Sequence, residues 1–380
     1  DLLNMNDAVL HITLKKAGPP PGAPLPPTPP FLVFQGSAQT PFLAPRGVFI
    51  AGNRLLVADT GRNRIFIWKT LPQEPHTEPD IVLGQEDLEG TGRNAGGEAH
   101  AASLQYPSGL WSDGRRLIVA DAWNHRVLIW RHFPERNAQP ADVVLGQADF
   151  TGNQPNRSGV GAAPAAGSLY WPYGVFSDGE RLWIADTGNR RVLFFEKIPG
   201  KNGAAADAVV GKPDFVTRDY EHLDPIWPYS VKIGPDGAMA VADTQYYRVL
   251  IWKHWQSAFS GRADLVIGQP DLDSNGMNQY GLFPAAHTLS WCYDACFTPG
   301  GLLVADTGNS RILRFDRMPD RSNTPADGLL GKPDFNTGSE NAETVFGTER
   351  SLYWPFSICA EGPVLAVADT GNHRIVFYKL

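Results

Sequence analysis

The sequence predicts an all-β protein, namely a six-bladed β-propeller with four antiparallel strands per blade and a ring closed by an N-terminal strand. The first observation is a motif that reads Val-Ala-Asp-Thr-Gly-Arg-Asn-Arg at residues 57–64 and occurs in six copies. The second is its spacing, because consecutive aspartates lie 57 to 65 residues apart. The third is that short apolar runs surround every copy. The aspartates are Asp59, Asp121, Asp186, Asp243, Asp306 and Asp369.

The third unit shows the four expected strands in order. An aromatic segment at 171–176 leads into the unit, an apolar run follows at 181–186, and the turn at 187–189 connects it to the run at 191–195. The fourth run, at 208–211, comes after a loop. Apolar, β-branched and aromatic runs bounded by turn residues are typical of strands. The second and third runs are apolar at successive positions, which favours a sheet buried on both faces.

The two ends of the repeat predict how the ring closes. The last unit stops at Leu380, directly after its third strand, and so lacks an outer strand of its own. Residues 31–36 read Phe-Leu-Val-Phe-Gln-Gly and resemble the fourth strand of other units, such as residues 80–85. We therefore expect residues 31–36 to pair with residues 374–378, which protects an otherwise exposed strand edge.

Residues 1–30 are predicted to be a separate N-terminal segment, and residues 31–380 the propeller domain. A strand-like run lies at 9–14, and eight of the thirteen residues from 18 to 30 are proline. Proline at this density is incompatible with a helix or a central strand, so this piece is expected to be an extended tether. A tether favours an anchored protein that is extracytoplasmic or secreted.

The composition limits the class of function. The net charge of −7 argues against a nucleic-acid partner, which needs a basic surface to neutralise phosphates. No apolar run approaches the roughly 18 residues of a membrane span. Three cysteines are too few for a disulfide framework. We expect a monomer whose partner is a protein, a peptide or a small molecule.

The repeating unit resembles the NHL repeat. The resemblance is carried by Pro-x-Gly at the start of a unit, as at 172–174, and by Val-Ala-Asp-Thr-Gly-Asn-x-Arg, as at 367–374. It covers residues 31–380 and implies a propeller. NHL-like propellers include protein-binding platforms, RNA-binding domains, sensor domains and the lyase that amidates peptide hormones. Function therefore has to be argued from the residues that differ between the copies.

The repeated polar residues are interpreted as scaffold, because six copies of one residue cannot all be catalytic. Each aspartate and the arginine five residues later flank the turn between strands two and three, where a charge-assisted hydrogen bond fits. A second motif, Gly-Gln/Lys-x-Asp-Phe/Leu, has an aspartate expected to cap its loop and a Phe or Leu expected to pack between blades. It lacks the glycine spacing and the helix of a phosphate loop. Its copies lie at 84–88, 146–150, 211–215, 268–272 and 331–335.

Two sets of residues are expected where strand one begins, at the mouth of a central channel. The residues before the proline position are Ala44, Tyr106, Trp171, Trp227, Trp291 and Trp354. We interpret these tryptophans as wedges between blades. The residues after it are Arg46, Ser108, Tyr173, Tyr229, Tyr293 and Phe356. This second set, aromatic with one cation, is the better candidate for a ligand surface.

The repeat departs most from its pattern in units four and five, and such departures are expected where function lies. Unit four carries Gln245-Tyr246-Tyr247 in the turn where other units have Gly-Asn. Unit five carries Asp294, the only acidic residue at its position in the six copies. Tyr246, Tyr247 and Asp294 join the candidate ligand-binding set. Drift between copies is the alternative explanation.

Histidines in the loops that link the units are the candidate metal ligands. His100, His222 and His287 lie four to six residues before the aromatic position. Imidazoles that converge on a channel mouth can bind zinc, and the resemblance adds that three histidines hold a zinc ion at the centre of the amidating lyase. A single divalent ion at the central channel is therefore an alternative. His125 and His373 occupy a variable turn position and are expected to be exposed to solvent.

The cysteines are expected to be reduced. Cys296 and Cys359 occupy equivalent positions in adjacent units and are predicted to be a buried thiol pair, with a disulfide between blades as the alternative. Cys292 and Cys296 are expected to lie on one strand, too far apart along it to form a disulfide.

These observations predict a binding platform that holds a protein, a peptide or a small molecule on the long-loop face and the channel mouth. Long connections such as 86–105 and 148–170 lie on that face, and binding residues on rigid scaffolds usually lie on loops. The alternative is a metal-dependent lyase or hydrolase with an ion at the central channel and Asp294 or a loop histidine as ligand or base. RNA binding would require a basic face, which the composition does not indicate.

Overall fold

The computed structural model describes residues 29–219, 223–343 and 347–380. Within these residues the chain forms six four-stranded antiparallel sheets, which are the blades of a β-propeller. The predicted fold class is confirmed. The expected strand-like run at 9–14 and most of the proline-rich segment lie outside the described residues.

The first strand, β1 (Leu32–Phe34), belongs to the last blade, and each other blade is built from four consecutive strands that run from the innermost to the outermost. Blades one to three comprise β2 (Gly47–Ala51), β3 (Arg54–Asp59), β4 (Arg64–Trp68), β5 (Ile81–Leu83), β6 (Pro107–Ser112), β7 (Leu117–Asp121), β8 (Arg126–Trp130), β9 (Val143–Leu145), β10 (Pro172–Ser177), β11 (Leu182–Asp186), β12 (Arg191–Phe195) and β13 (Ala208–Val210). Blades four to six continue with β14 (Pro228–Ile233), β15 (Met239–Asp243), β16 (Arg248–Trp252), β17 (Leu265–Ile267), β18 (Asp294–Thr298), β19 (Gly301–Asp306), β20 (Arg311–Phe315), β21 (Gly328–Leu330), β22 (Pro355–Glu361), β23 (Val364–Asp369) and β24 (Arg374–Lys379).

Helical structure in the described part of the chain is confined to short 3₁₀ helices. Six of them form the turn between strands two and three of a blade: Thr60–Arg62, Ala122–Asn124, Thr187–Asn189, Thr244–Tyr246, Thr307–Asn309 and Thr370–Asn372. The others lie in loops: Arg93–Gly96, Pro155–Arg157, Trp255–Phe259, Met277–Tyr280 and Glu340–Glu343. None of the described helices is long and apolar enough to cross a membrane.

The ring closes as the sequence predicts. Strand β1 pairs with β24 in antiparallel register, and Val33 lies opposite Val376. Phe34 is fully buried and packs edge-on against Trp68 of blade one, with ring centroids 5.1 Å apart. The N-terminal strand therefore completes blade six and also packs against blade one.

The core lies between neighbouring blades. Strands two and three of each blade are almost entirely buried on both faces, as apolar residues at successive positions predict. One cluster joins Leu56 and Ile65 of blade one to Leu117 and Leu128 of blade two. Similar clusters join the other neighbours round the ring. The blades thus bury apolar area against each other, which is the main favourable term in their folding.

The buried tryptophans of this core come from the first, second and third strands of the blades. Trp68, Trp130 and Trp252 end the third strand of blades one, two and four and are buried. Each indole Nε1 donates a hydrogen bond to a loop carbonyl. A large ring thereby enters the core while its one polar group keeps a partner.

The prediction that the tryptophans before the proline position wedge between blades is wrong for three of the four. Trp171, Trp291 and Trp354 are 39%, 37% and 43% exposed. Their backbone φ angles are 49°, 49° and 50°, in the left-handed region. These three tryptophans therefore do not fill the core between blades.

Each aspartate of the repeated motif pairs with the arginine five residues later, as expected. In blade three Arg191 Nε donates to Asp186 Oδ2 over 2.8 Å, and neither side chain is exposed. The other guanidinium nitrogens donate to the carbonyls of Phe215, Ala165 and Ser168. The pair is a buried junction of four chain segments and leaves little room for a ligand.

A threonine next to the aspartate links a blade to its successor. Thr187 Oγ1 donates to the carbonyl of Pro228 over 2.7 Å. The same bond runs from Thr370 to Pro45 over 2.5 Å, across the closure of the ring. Blade two has Ala122 at this position and therefore no such hydroxyl.

The second motif caps its loop, as its aspartate predicts. In blade two Asp149 Oδ1 accepts hydrogen bonds from the N–H groups of Thr151 and Gly152. The carbonyl of Phe150 accepts a hydrogen bond from Arg126 over 2.6 Å. The two repeated motifs therefore contact each other and form one scaffold.

The three cysteines are free and buried. Cys296 lies in β18 and Cys359 in β22, at equivalent positions in the sheet register. Cys292 precedes β18, which begins at Asp294, so the expectation that it shares a strand with Cys296 is wrong.

Candidate functional site

The innermost strands of the six blades surround a cavity of about 280 Å³ on the axis of the propeller. Each innermost strand begins at the loop face, so its first residues lie at the mouth of the cavity. Asp294 also lines the cavity, deeper along β18. The predicted mouth residues that line it are Arg46, Ser108, Tyr173, Tyr229, Tyr293 and Phe356.

Aromatic side chains and one guanidinium form a continuous circle at the mouth, which we call the mouth ring. Its members are Arg46, Tyr106, Trp123, Tyr173, Tyr229, Tyr293 and Phe356. The separations between ring centroids, or between a guanidinium and a ring centroid, are Arg46–Tyr106 5.1 Å, Tyr106–Trp123 4.5 Å, Tyr173–Tyr229 4.5 Å, Tyr229–Tyr293 4.5 Å, Tyr293–Phe356 4.3 Å and Phe356–Arg46 4.0 Å.

Trp123 completes the circle and was not among the residues predicted from the sequence. Blade two has Ser108 where other blades have a large side chain, which leaves a gap at the mouth. Trp123 stacks on Tyr106 and donates from Nε1 to the Tyr173 hydroxyl over 3.3 Å, which bridges that gap. The available signal was the turn of blade two, which reads Ala-Trp-Asn where the first, third, fifth and sixth units have Thr-Gly-Arg/Asn.

The phenols of the mouth ring remain protonated. Burial raises the pKa of Tyr229, and its neighbour Tyr173 raises it further. Burial also raises the pKa of Tyr293 to about 12, against the opposing charge of Arg46. The mouth therefore presents neutral aromatic rings and hydroxyls beside one cation, a surface that suits a ligand with a flat apolar part.

Below the mouth, blades one to three form an apolar wall. It consists of Phe49, Trp111 and Phe176, which occupy equivalent positions in the sheet register. One step nearer the mouth these blades have glycine. A Cβ on Gly47 would lie 2.0 Å from the carbonyl oxygen of Ser108, and one on Gly174 would lie 2.5 Å from that of Tyr229. Glycine thus allows neighbouring inner strands to approach closely.

Blades four to six form a polar wall at the same two levels. At the glycine level they carry Ser230, Asp294 and Ser357, and at the level below Lys232, Cys296 and Cys359. Lys232 Nζ and Asp294 Oδ1 form an ion pair over 3.0 Å across two blades. The cavity is therefore apolar on one side and polar on the other, a division that the sequence analysis did not predict.

The two thiols of the polar wall are weak nucleophiles. Burial raises the pKa of Cys359 to about 11 and also raises the pKa of Cys296. Cys359 Sγ accepts a hydrogen bond from the N–H of Ile50 over 3.3 Å. Since the thiolate is the reactive form, both residues act here as small buried groups at neutral pH.

Tyr246 and Tyr247 lie outside the mouth ring. The guanidinium of Arg248 lies over the ring of Tyr246, 5.1 Å from the ring centroid. Tyr247 packs edge-on against Trp291, with centroids 5.2 Å apart. Both residues belong to the turn of blade four, and neither lines the axial cavity.

The candidate metal ligands do not meet within the described residues. His100 is exposed, His287 is half-buried, and neither lines the cavity. His222 lies outside the described residues. Across residues 29–219, 223–343 and 347–380 no group of three His, Cys, Asp or Glu could hold a metal ion.

His125 corrects another expectation, because it is buried and not exposed to solvent. Its Nδ1 accepts a hydrogen bond from the N–H of Trp171 over 3.0 Å, and burial lowers its pKa to about 4. His373 makes the equivalent bond to the N–H of Ala44 and is exposed, as expected. The variable turn position therefore supplies a hydrogen-bond acceptor to the next blade.

The loop between β17 and β18 carries the most exposed of the large apolar side chains in the described part of the chain. Tyr280, Leu282 and Phe283 are 82%, 93% and 73% exposed. Tyr280 ends the 3₁₀ helix Met277–Tyr280, and Leu282 and Phe283 follow after one glycine. None of these three residues lines the axial cavity.

Comparisons with known proteins give no family for this chain. No family model matches it, and no curated protein matches it. Similar solved structures include the computationally designed Ika8 protein, at 8% identity and a TM-score of 0.40, covering 93% of this chain and 100% of that one. They also include a protein from Bacteroides uniformis provisionally assigned as a 6-phosphogluconolactonase, at 12% identity and a TM-score of 0.49, covering 89% of this chain and 82% of that one. Likenesses this distant carry no argument about function.

Proposed function

We propose that this chain is a binding platform that holds the apolar part of a small molecule or a peptide at the mouth of its axial cavity. One observation supports this more than any other. Six equivalent positions, one from each blade, converge on the cavity, and four of them carry aromatic side chains that join Arg46, Tyr106 and Trp123 in the mouth ring. A concave site lined by aromatic groups and a few polar ones is the usual form of a ligand pocket.

The experiment is a fragment screen by ligand-observed NMR on the whole chain, followed by titration of the hits into variants. Tyr229→Ala and Tyr293→Ala remove two adjacent rings of the mouth and should weaken binding about tenfold or more. Tyr280→Ala removes an equally large ring outside the cavity and should leave the affinity unchanged. Hits that bind all three variants like the parent protein would refute the site.

We further infer that the units are of the NHL type and that the propeller acts as a monomer. The Asp–Arg pair and the Pro-x-Gly start of the units support the first inference. The closed ring supports the second, since β1 covers the outer edge of β24 and leaves no long unpaired strand there. Sedimentation equilibrium at several concentrations tests the monomer, and a dimer would overturn it.

A further inference from the structure

The polar wall of the cavity contains hydrogen-bonding groups that the fold does not use. The hydroxyl of Ser230 is buried, with 5% of the residue exposed, and has no partner among the described residues. At the equivalent positions Asp294 Oδ2 accepts from the N–H of Ile358 over 3.1 Å, and Ser357 Oγ accepts from the N–H of Val48 over 3.4 Å. Those two side chains connect their blade to the next one. Ser230 makes no such connection and faces the cavity.

Lys232, two residues along β14, lines the cavity at 22% exposure of its side chain. Asp294 is its acceptor among the described residues, whereas an ammonium group carries three donors. Asp294, in contrast, has no acceptor position left for a ligand. Its two oxygens accept from Lys232, from the N–H groups of Ala295 and Ile358, and from the Ser357 hydroxyl. The ion pair therefore orients the ammonium group. Donors of Lys232 are left for a ligand, whereas the oxygens of Asp294 already accept hydrogen bonds from the protein.

The charges that face the cavity favour an anion. Arg46 at the mouth has no carboxylate partner in the described part of the chain, while Lys232 and Asp294 compensate each other. Glu361 lines the opposite end but is exposed, so water screens its charge. Burial by itself lowers the pKa of Lys232, but the charge and hydrogen bond of Asp294 outweigh it and raise the pKa. Lys232 therefore stays cationic.

We propose that the cavity binds a small organic carboxylate, with its apolar body against Phe49, Trp111 and Phe176 and its carboxylate on the donors of Lys232 and Ser230. The proposal rests on the proposed function, because it names the class of ligand for the same cavity. A volume of about 280 Å³ lies at the lower end of the roughly 300–1,000 Å³ of ligand pockets, so the body is expected to be one or two rings.

The test compares acids with their neutral amides of the same shape, by isothermal titration into the whole chain. The probes are phenylacetate and phenylacetamide, 3-phenylpropionate and 3-phenylpropanamide, and indole-3-acetate and indole-3-acetamide. At least one acid should bind about tenfold more tightly than its amide, since hydrogen bonds to an ionised acceptor are the stronger ones. In Lys232→Met the two affinities should become equal.

Two further variants separate a loss of binding from a folding defect, and thermal unfolding of each variant shows whether it is folded. Lys232→Met combined with Asp294→Asn removes both charges and leaves no carboxylate without its counter-ion. Ser230→Gly introduces the residue of blades one to three and should weaken the acid and the amide alike, about fivefold, because a hydroxyl donates to a carboxylate or to an amide oxygen.

The outcomes separate this inference from the proposed function. Equal affinity of acid and amide for the parent protein, or a preference for acid that survives both lysine variants, overturns the carboxylate proposal and leaves the pocket standing. If none of the acids or amides binds and the fragment screen gives no hit at the mouth ring, the proposed function falls as well.

Discussion

At the scale of the residue, two arginines of blade three contribute very different amounts to stability. Arg191 is fully buried and donates to Asp186 and to three backbone carbonyls. Arg181 lies at the surface, with 37% of its side chain exposed, and pairs with Asp178, three residues earlier, over 2.7 Å. Exposed ion pairs contribute only about 0–1 kcal/mol. A buried guanidinium that loses its partners leaves uncompensated polar groups in the core.

We therefore expect Arg191→Lys to lower the free energy of unfolding by about 2–4 kcal/mol, because an ammonium group keeps the charge but cannot reach all four acceptors. Urea denaturation measures the change. Arg181→Lys is the matched control and should change stability by less than about 1 kcal/mol. Equal losses in the two variants would show that the repeated pair is not a structural junction.

Residue identity predicted this junction correctly and failed where backbone conformation decides the outcome. The six Asp–Arg pairs follow from spacing alone, since five residues across a tight turn bring the two side chains together. The exposure of Trp171 and the burial of His125 do not. Trp171 has a left-handed φ of 49° at a position that carries no glycine to indicate it. His125 is buried because it packs against the rings of Tyr170 and Trp171 of the next blade, whereas His373, with a similar φ, is exposed.

At the scale of the element, the loop after the fourth strand exists in two versions. Blades one, two and four have glutamine after the motif glycine, and the Nε2 of Gln147 donates to the carbonyls of His125 and Gln154. Blades three and five have lysine there. Lys332 Nζ donates to the carbonyls of Ser310 and Leu352 over 2.7 and 3.0 Å. The lysine version fixes the same loop but places a charge in the interior.

This charge predicts a pH dependence of stability. Burial lowers the pKa of Lys212 and of Lys332 from 10.5 to about 8 in the folded chain. Between pH 8 and 10.5 these two lysines thus hold more protons in the unfolded chain, and their contribution to the free energy of unfolding rises with pH, on the order of 3 kcal/mol per lysine. Lys332→Gln should remove about half of this rise in urea denaturation between pH 7.5 and 10. An unchanged slope would contradict the assignment, and Lys69→Gln, at an exposed position, is the control.

The threonine bond between blades gives a prediction with a gain of stability. Blade two lacks it because of Ala122, whereas Thr187 makes it to Pro228. Ala122→Thr should restore the missing bond to the carbonyl of Pro172 and raise the free energy of unfolding by about 1 kcal/mol. Thr187→Val, which has no hydroxyl, should lower it by a similar amount. Both are measured by urea denaturation, and a loss in Ala122→Thr would mean that blade two cannot accommodate the hydroxyl.

At the scale of the whole molecule, a single strand from the start of the propeller closes it. Phe34 of β1 packs against Phe42 and Trp68 of blade one while its strand pairs with β24 of blade six. Phe31, directly before this strand, is nearly half exposed and touches Phe377 at a centroid distance of 6.0 Å. Closure therefore depends on one deeply buried ring and much less on its exposed neighbour.

Phe34→Ala should accordingly lower the free energy of unfolding by about 3–5 kcal/mol, because it creates a cavity at the only place where the ring is closed without a covalent connection. Phe31→Ala should lower it by less than about 1 kcal/mol. Thermal and urea unfolding give both values. If the two variants were equally stable, β1 would contribute its backbone pairing and nothing more.

The fold was largely predictable and the interior of the cavity was not, for a physical reason. A repeat determines the number of blades, the strand order and the closure, since all of these follow from spacing and from apolar runs. The cavity depends on which single residue of each innermost strand faces the axis. The pairing register determines which residue faces the axis. At one level of the channel these residues include Phe49 and Trp111 in the apolar wall and Lys232 and Cys296 in the polar wall.

The division of the channel into two walls also has a mechanical consequence. The apolar wall belongs to residues 47–177 and the polar wall to residues 228–361, so the two halves of the chain face each other across the axis. A molecule that contacts both walls would hold the two halves together and oppose opening of the propeller at two junctions. One junction, between blades three and four, is covalent, and the other, between blades six and one, is not. Because such a ligand binds the closed ring and not the opened chain, occupancy itself would lengthen the lifetime of the folded protein.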